Sequence, residues 1–279
     1  MWNDYSKSYI KNNRASSTSI MAAALVAAMF LSCVCSVAYN FWAYDVEQII
    51  LEEGDWQGRI VFEASGSNDL SEDNILSLVC QFANVEKAVV NEGLSKTEGT
   101  VVDVYFKNAR TIYRDMPFIA AQLGLNEDSI QYNSLLLSRY FIHDPEDEAP
   151  PMLLALYVVI LMIVAVSLIL IIRGSFELSM NARIHQFGIF SSIGATPKQI
   201  RTCLLQEAMV LSILPMLLGS IFGIMLSFGL IKAVNFFAAD VSGRHEAAFQ
   251  YHPSIFAAAV FISFLTVIFS AWIPARKLS

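Results

Sequence analysis

Charge is the first thing this 279-residue chain lacks. Asp, Glu, Lys and Arg make up 15% of it, hydrophobic residues make up 55%, and the mean hydropathy is +0.50. A soluble domain carries roughly 25% charge, so the deficit excludes an ordinary water-soluble protein. Cysteine is also scarce. Of the four, Cys33 and Cys35 share one apolar run, about 200° apart on a helix, and cannot face one metal. Cys80 is alone in the polar part of the chain and Cys203 borders another apolar run, so there is no disulfide framework, and all four read as small packing residues. Phosphate-loop, G-x-G-x-x-G, H-E-x-x-H and G-x-S-x-G patterns are missing, which removes the common signatures of ATPases, dinucleotide enzymes, zinc proteases and serine hydrolases. His143, His185, His245 and His252 are scattered, and His245, Glu246 and His252 lack the third spaced ligand that a metal site needs. The expectation is a chain that is not an enzyme, with no cofactor, no metal and no nucleic-acid partner. No internal repeat is visible.

What is present is long apolar runs. Four are long enough to cross a bilayer, which takes about 20 apolar residues: residues 20–42, 152–172, 204–231 and 255–273. None holds Lys, Arg or Asp, and the single acid is Glu207, near one end of the third. The first run is too long for a signal-peptide core and no A-x-A site follows it, while Trp42 and Tyr44 suit an interfacial anchor. Lys7, Lys11 and Arg14 precede span 1, Arg173, Arg183, Lys198 and Arg201 lie between spans 2 and 3, and Arg276 and Lys277 close the chain. With four alternating spans these segments share one side, which the positive-inside rule makes the cytoplasm. The expected fold is therefore an α-helical, multi-pass cell-membrane protein with four transmembrane helices, both termini cytoplasmic, and a small α/β extracellular domain between spans one and two. The boundaries are a cytoplasmic N-terminus at 1–19, span 1 at 20–44, the extracellular domain at 45–150, and a permease-like region at 151–279 with spans 2–4 and a cytoplasmic hairpin at 173–203.

The segment 45–150 holds twenty Asp and Glu against seven Lys and Arg, a net of −13, whereas the rest of the chain is at +6. Such a domain attracts cations at long range; its charge also suits a merely solvated surface. Patterning predicts strands at 59–63, 85–90 and 100–106. Helices are predicted at 71–82 with Ser71 as cap, at 110–123 despite Pro117 and ending at Gly124, and at 132–140. The order points to a split βαβ arrangement. An acidic, proline-rich stretch at 144–151 leads into span 2. Span 1 keeps helical spacing through Leu51, as a rigid stalk would and as an ordinary helix end would.

The most informative stretch lies at 173–207. Phe176, Met180, Ile184 and Phe187 form one apolar helical stripe beyond span 2. Gly194 stops that helix. Thr196 is a helix N-cap, Pro197 takes the first helical position, and Gln199 closes a capping box. Any helical hairpin can be capped this way, but an apolar face projecting past the bilayer asks for a groove on a partner.

The run Arg183-Ile-His-Gln-Phe-Gly-Ile-Phe-Ser-Ser-Ile-Gly-Ala-Thr-Pro-Lys-Gln-Ile-Arg201, followed by Glu207, resembles the FtsX-like permease domain of MacB-type ABC transporters. Gly219, Gly223 and Trp272-Ile-Pro-Ala-Arg276 fit the same pattern. His185-Gln186 stands where many relatives have Arg-Glu, and resembles the long ten-span Gram-positive permeases, in which such a four-span unit is the N-terminal half; the expectation is a fragment or a half-permease. The resemblance implies an ABC ATP-binding subunit in trans, a second permease half or homodimer, contact with membrane lipid, and export or mechanical removal of a peptide or lipid-like ligand. The ATPase would dock on Arg183, Gln186, Phe187, Gly188, Ile189, Phe190, Gly194, Ala195, Thr196, Pro197, Lys198 and Gln199, with Phe187, Ile189 and Phe190 in its groove. Arg183, Lys198 and Arg201 would meet its acidic rim, lipid headgroups, or simply anchor the inner face. Glu207 would be an intramembrane acid paired with Arg201 or another span. The alternative is an FtsX-type cell-division permease that activates a cell-wall hydrolase.

Overall fold

A computed structural model describes residues 14–62, 72–95, 99–145, 152–181, 188–189, 191–192, 194–239, 241 and 245–277. The elements run α1 (Arg14–Glu53), β1 (Gly58–Phe62), α2 (Glu72–Cys80), β2 (Val85–Val90), β3 (Thr100–Phe106), α3 (Ile112–Gln122), β4 (Ile130–Tyr132), α4 (Ser134–Arg139), α5 (Met152–Asn181), α6 (Pro197–Phe237) and α7 (Pro253–Lys277). The chain is an α-helical membrane protein. Three stretches of helix are long and apolar enough to cross a bilayer, Ser17–Glu53, Lys198–Phe237 and Pro253–Trp272, and α5 adds the shorter apolar stretch Val158–Gly174. The chain divides into two compact units, Met1–Tyr44 with Tyr157–Ser279, and Asp45–Leu156.

The helical unit packs both small and large apolar residues where helices meet and leaves many large ones facing outward. Its core joins Ile20, Ala24, Ala27, Ala28 and Leu31 of α1 to Leu168 and Ile172 of α5, Ala208, Leu211 and Met216 of α6, and Val267 and Ala271 of α7. By contrast Ile163, Leu214, Met225 and Phe261 are exposed, as suits side chains whose solvent is lipid. Helices α1 and α6 approach each other closely. A Cβ on Gly219 would lie 2.4 Å from the Leu25 carbonyl oxygen, and one on Gly223 2.3 Å from that of Met29. Without side chains at these two positions the backbones touch, which is how membrane helices associate when water drives nothing together. Polar side chains add to the seam: Ser32 Oγ donates to the Ser220 carbonyl at 2.8 Å, and the Ser36 and Ser227 hydroxyls are 2.7 Å apart. Asn40 donates to the Ser36 carbonyl and accepts from the Gln250 amide at 2.7 Å. Asn235 holds both the amide and the carbonyl of Ala247.

The sheet unit has strand order β2-β3-β1-β4, antiparallel throughout. Ile60, Val102, Val104 and Phe106 pack with Ile75 and Val79 of α2, Ile112, Met116 and Ile119 of α3, and Leu137 of α4. Residues alternate faces along a strand, so Arg59 and Asp103, directly paired in register, point away from that core. They form an ion pair at 2.5 Å, with the guanidinium 4.0 Å above the Trp56 ring. The sequence places β2 and β3 correctly and β1 one residue late. It misses β4, whose three residues are too short for alternation to register, and so starts the last helix two residues early, in a strand. Pro117 sits inside α3 without ending it. Ser71, expected to cap α2, lies outside the described residues. The last turns of α1 belong to this unit: Asp45 pairs with Arg139 of α4, and Asn133 caps α4 while donating to the Gly54 carbonyl at 3.3 Å.

Candidate coupling site

Arg183, Gln186, Phe187 and Phe190 lie outside the described residues, as do the side chains of the expected stripe at Phe176, Met180 and Ile184. The rest of the corner is described. Gly188 and Ile189 are helical and Ile189 is half exposed. Gly194 has φ +95 and its amide donates to the Ser191 carbonyl at 3.1 Å. That left-handed conformation suits glycine because an L side chain crowds the backbone there. A Cβ at this point would meet nothing within 4 Å, so the penalty for any other residue is purely conformational.

Two residues on, Thr196 takes an extended conformation, φ −76 and ψ 150, and caps α6. Its hydroxyl accepts from the Gln199 amide, and the Gln199 side-chain oxygen accepts from the Thr196 amide at 2.9 Å. Pro197 opens the helix, where an amide proton would have no helical partner anyway. The capping box is therefore present as the spacing predicts, contributing about 1 kcal/mol. Lys198 and Gln199 are exposed and Ala195 is half-buried. Among the described residues of the corner, Gly188, Ile189, Ser191, Ser192, Gly194, Thr196, Lys198 and Gln199 are exposed.

From this start α6 buries one face: Ile200, Cys203, Glu207, Ala208 and Leu211. Spacings of three and four place Ile200, Cys203, Glu207 and Leu211 on one stripe, with Ala208 beside it. Glu207 is thus on the packed side of the helix and only 2% exposed. At the end of α5, Arg173 and Glu177 form a half-exposed pair at 3.1 Å, of small energetic weight.

Sequence reasoning did not pick out the α1–α6 seam as a functional feature. Gly219, Gly223 and Ser227 recur every fourth residue, and that small-residue spacing is the signal from which the close approach is legible.

Residues 157–279 match the family of the FtsX-like permease C-terminal domain. No curated protein matches the chain significantly.

Proposed function

We propose, from the premise that residues 157–279 are an FtsX-like permease C-terminal domain and the chain an ABC-transporter-type permease, that the corner at 183–199 is where a separate ATP-binding subunit docks. The single observation that carries this is the corner itself. A glycine at φ +95 and a complete capping box define the turn into α6, although the described residues around it are nearly all exposed. A hairpin needed only to reverse the chain has no use for so defined a tip; a plug for a partner's groove does. Ile189 supplies exposed apolar surface and Lys198 a cation at the rim.

ATP-driven closure of two such subunits would move the helices they grip. Both chain termini and the corner are read as cytoplasmic and the sheet unit as extracellular. Helix α1 is unbroken for 40 residues, about 60 Å at 1.5 Å per residue, twice what the hydrocarbon needs. Its last turns are tied to α4 through Asp45–Arg139. This supports a reading in which the permease transmits force to the outer domain to export or dislodge a peptide or lipid-like ligand, working as a homodimer or with a second permease half.

The test is the double variant Gly194→Val with Thr196→Ala. Left-handed valine costs about 1–2 kcal/mol and the lost cap about 1 kcal/mol, too little to undo a bundle held by packing in lipid. Expression and membrane insertion should be unchanged while co-purification of the cognate ATP-binding subunit is lost. Recovery of that subunit at wild-type yield by the inserted double variant would refute the docking assignment.

A further inference from the structure

Helix α4 runs back along the last turns of α1. Its N-cap, Asn133, donates from the side chain to the Gly54 carbonyl at 3.3 Å and from the amide to the Gln57 carbonyl at 3.1 Å. At its other end Arg139 reaches Asp45. From Asp45 to Gly54 the chain rises by about nine residues of helix, roughly 13 Å, so α4 descends antiparallel to α1, toward the end of α1 that enters the apolar run. There α4 stops in a Schellman motif: the Ile142 amide donates to the Leu137 carbonyl at 3.0 Å and the Phe141 amide to the Ser138 carbonyl at 3.1 Å. Phe141 has φ +58, and among the described residues it is the one positive φ outside glycine. Glycine or asparagine ordinarily takes this place, because a Cβ crowds the backbone there. The hydrogen bonds account for the conformation but not for a phenylalanine in it. Its ring is 45% exposed beside the exposed Tyr140, while Ile142 turns into the core.

We propose that Tyr140 and Phe141 are a foot by which the sheet unit rests in the membrane interface, seated among phospholipids where headgroups meet acyl chains. This rests on the reading of span 1 as ending at Tyr44. The direction of α4 supports it, since the helix delivers the two rings toward the first residue beyond that span. The residue types support it too. Tyrosine pairs an apolar body with a polar tip, as side chains at a membrane boundary do. A left-handed phenylalanine costs the fold what a glycine would not, and transfer of its ring from water to lipid offsets that cost. Chain continuity agrees: the foot follows the exit at Asp45 and precedes the next apolar run, which begins at residue 152. Charge does not hold it there, because a segment with a net charge of −13 is repelled by anionic lipid. The attachment is apolar and indifferent to headgroup charge.

The test places nitroxide labels on the full chain in phosphatidylcholine nanodiscs, with the four native cysteines replaced by alanine. One label goes at Phe141→Cys. A second goes at Phe41→Cys, exposed on α1 one turn before Asp45, and a third at Val89→Cys, 47% exposed on the opposite edge strand of the sheet. Relaxation by oxygen, which concentrates in lipid, is compared with relaxation by a water-soluble nickel chelate. The labels at Phe41 and Phe141 should lose the nickel effect and keep the oxygen effect, the label at Val89 should keep the nickel effect, and added phosphatidylglycerol should change none of this. Nanodiscs open both faces to the chelate, so neither sidedness nor ATPase docking enters the reading. Nickel access at Phe141 with Phe41 still shielded would overturn the foot alone; access at both would overturn the end of span 1 and the foot with it. Equal shielding of Phe141 and Val89, dependence on phosphatidylglycerol, or spin–spin broadening between two copies in place of oxygen access would also overturn it. Should the cysteine-free chain not fold, Phe141→Trp and Val89→Trp are made in the native chain. Dibrominated lipid should quench the emission added by the first and not by the second, and an unquenched first would overturn the foot.

Discussion

Single residues in the sheet unit show how one carboxylate's surroundings set its titration. Burial alone would push Asp115 up, but it accepts hydrogen bonds from Thr111 and Asn84, each at 2.7 Å, and from Arg114, and these hold its carboxyl below the usual range. A depressed folded pKa means stability that is present above the unfolded value, about 4, and lost as pH falls through the folded one. Asp115→Asn should therefore lower stability at neutral pH by about 1–3 kcal/mol and flatten the acid limb, as read by thermal melting across that range. Arg114→Ala should do little, since that side chain is 80% exposed. Tyr105 is the opposite case. Burial first, then its hydrogen bond to Asp55 at 2.8 Å, raises its phenol to about 12. Stability from it is present below the ordinary tyrosine value and lost as pH rises through about 12. Ultraviolet difference titration against Tyr105→Phe should place that ionisation, and Asp55→Asn should move it down.

Among the elements, the α1–α6 seam is the least forgiving. A side chain at Gly223 would run into backbone, which cannot rotate away as a flexible side chain can. Gly223→Val should separate the two helices and lower the melting temperature in detergent, costing about 1–3 kcal/mol as an overpacking change does. Ser36→Ala should cost well under about 1 kcal/mol, the ordinary worth of an interhelical hydrogen bond in a membrane. A melt in which the two variants behave alike would show that close approach is not what holds the seam. Elements were legible in the sequence wherever the pattern was long. The apolar runs emerge as the cores of α1, α5, α6 and α7, and Thr196-Pro197-Lys198-Gln199 contains every atom its cap needs, so local chemistry alone dictates the corner. Three kinds of feature escaped. Strand β4 is too short to show a period. The pairing of Arg59 with Asp103 joins residues 44 apart, which no local window contains. The contact of the Tyr113 and Tyr132 rings, 4.7 Å apart, depends on α3 and β4 being brought together by the fold, and neither tyrosine is notable in its own segment.

For the whole molecule the testable claim is sidedness. The seam bears on relative direction alone: α1 and α6 run parallel, with Leu25 meeting Gly219, Met29 meeting Gly223, and Ser36 meeting Ser227, in rising order on both. Spans one and three of an alternating four-span chain must run the same way. In a Cys80→Ser background, an impermeant maleimide added outside intact cells should label a cysteine at Glu127 and miss one at Lys198. The reverse labelling would invert the topology. The purified chain should also show no ATP turnover, as its sequence has no phosphate loop; hydrolysis that survives removal of contaminating ATPases would contradict this.

The seam also constrains what kinds of change the two spans can absorb. From Leu25 to Met29 and from Gly219 to Gly223 the contact advances by four residues on both helices, and from Ser32, beside Gly223, to Ser36, beside Ser227, it advances by four again, so α1 and α6 are two rulers with the same graduation laid edge to edge. One residue inserted into either, between Met29 and Ser36 or between Gly223 and Ser227, turns everything beyond it by about 100° and throws the serine pair out of phase with the glycines. One residue inserted into both restores the phase. Substitutions along the lipid-facing side can accumulate singly, but length here can change only in matched pairs.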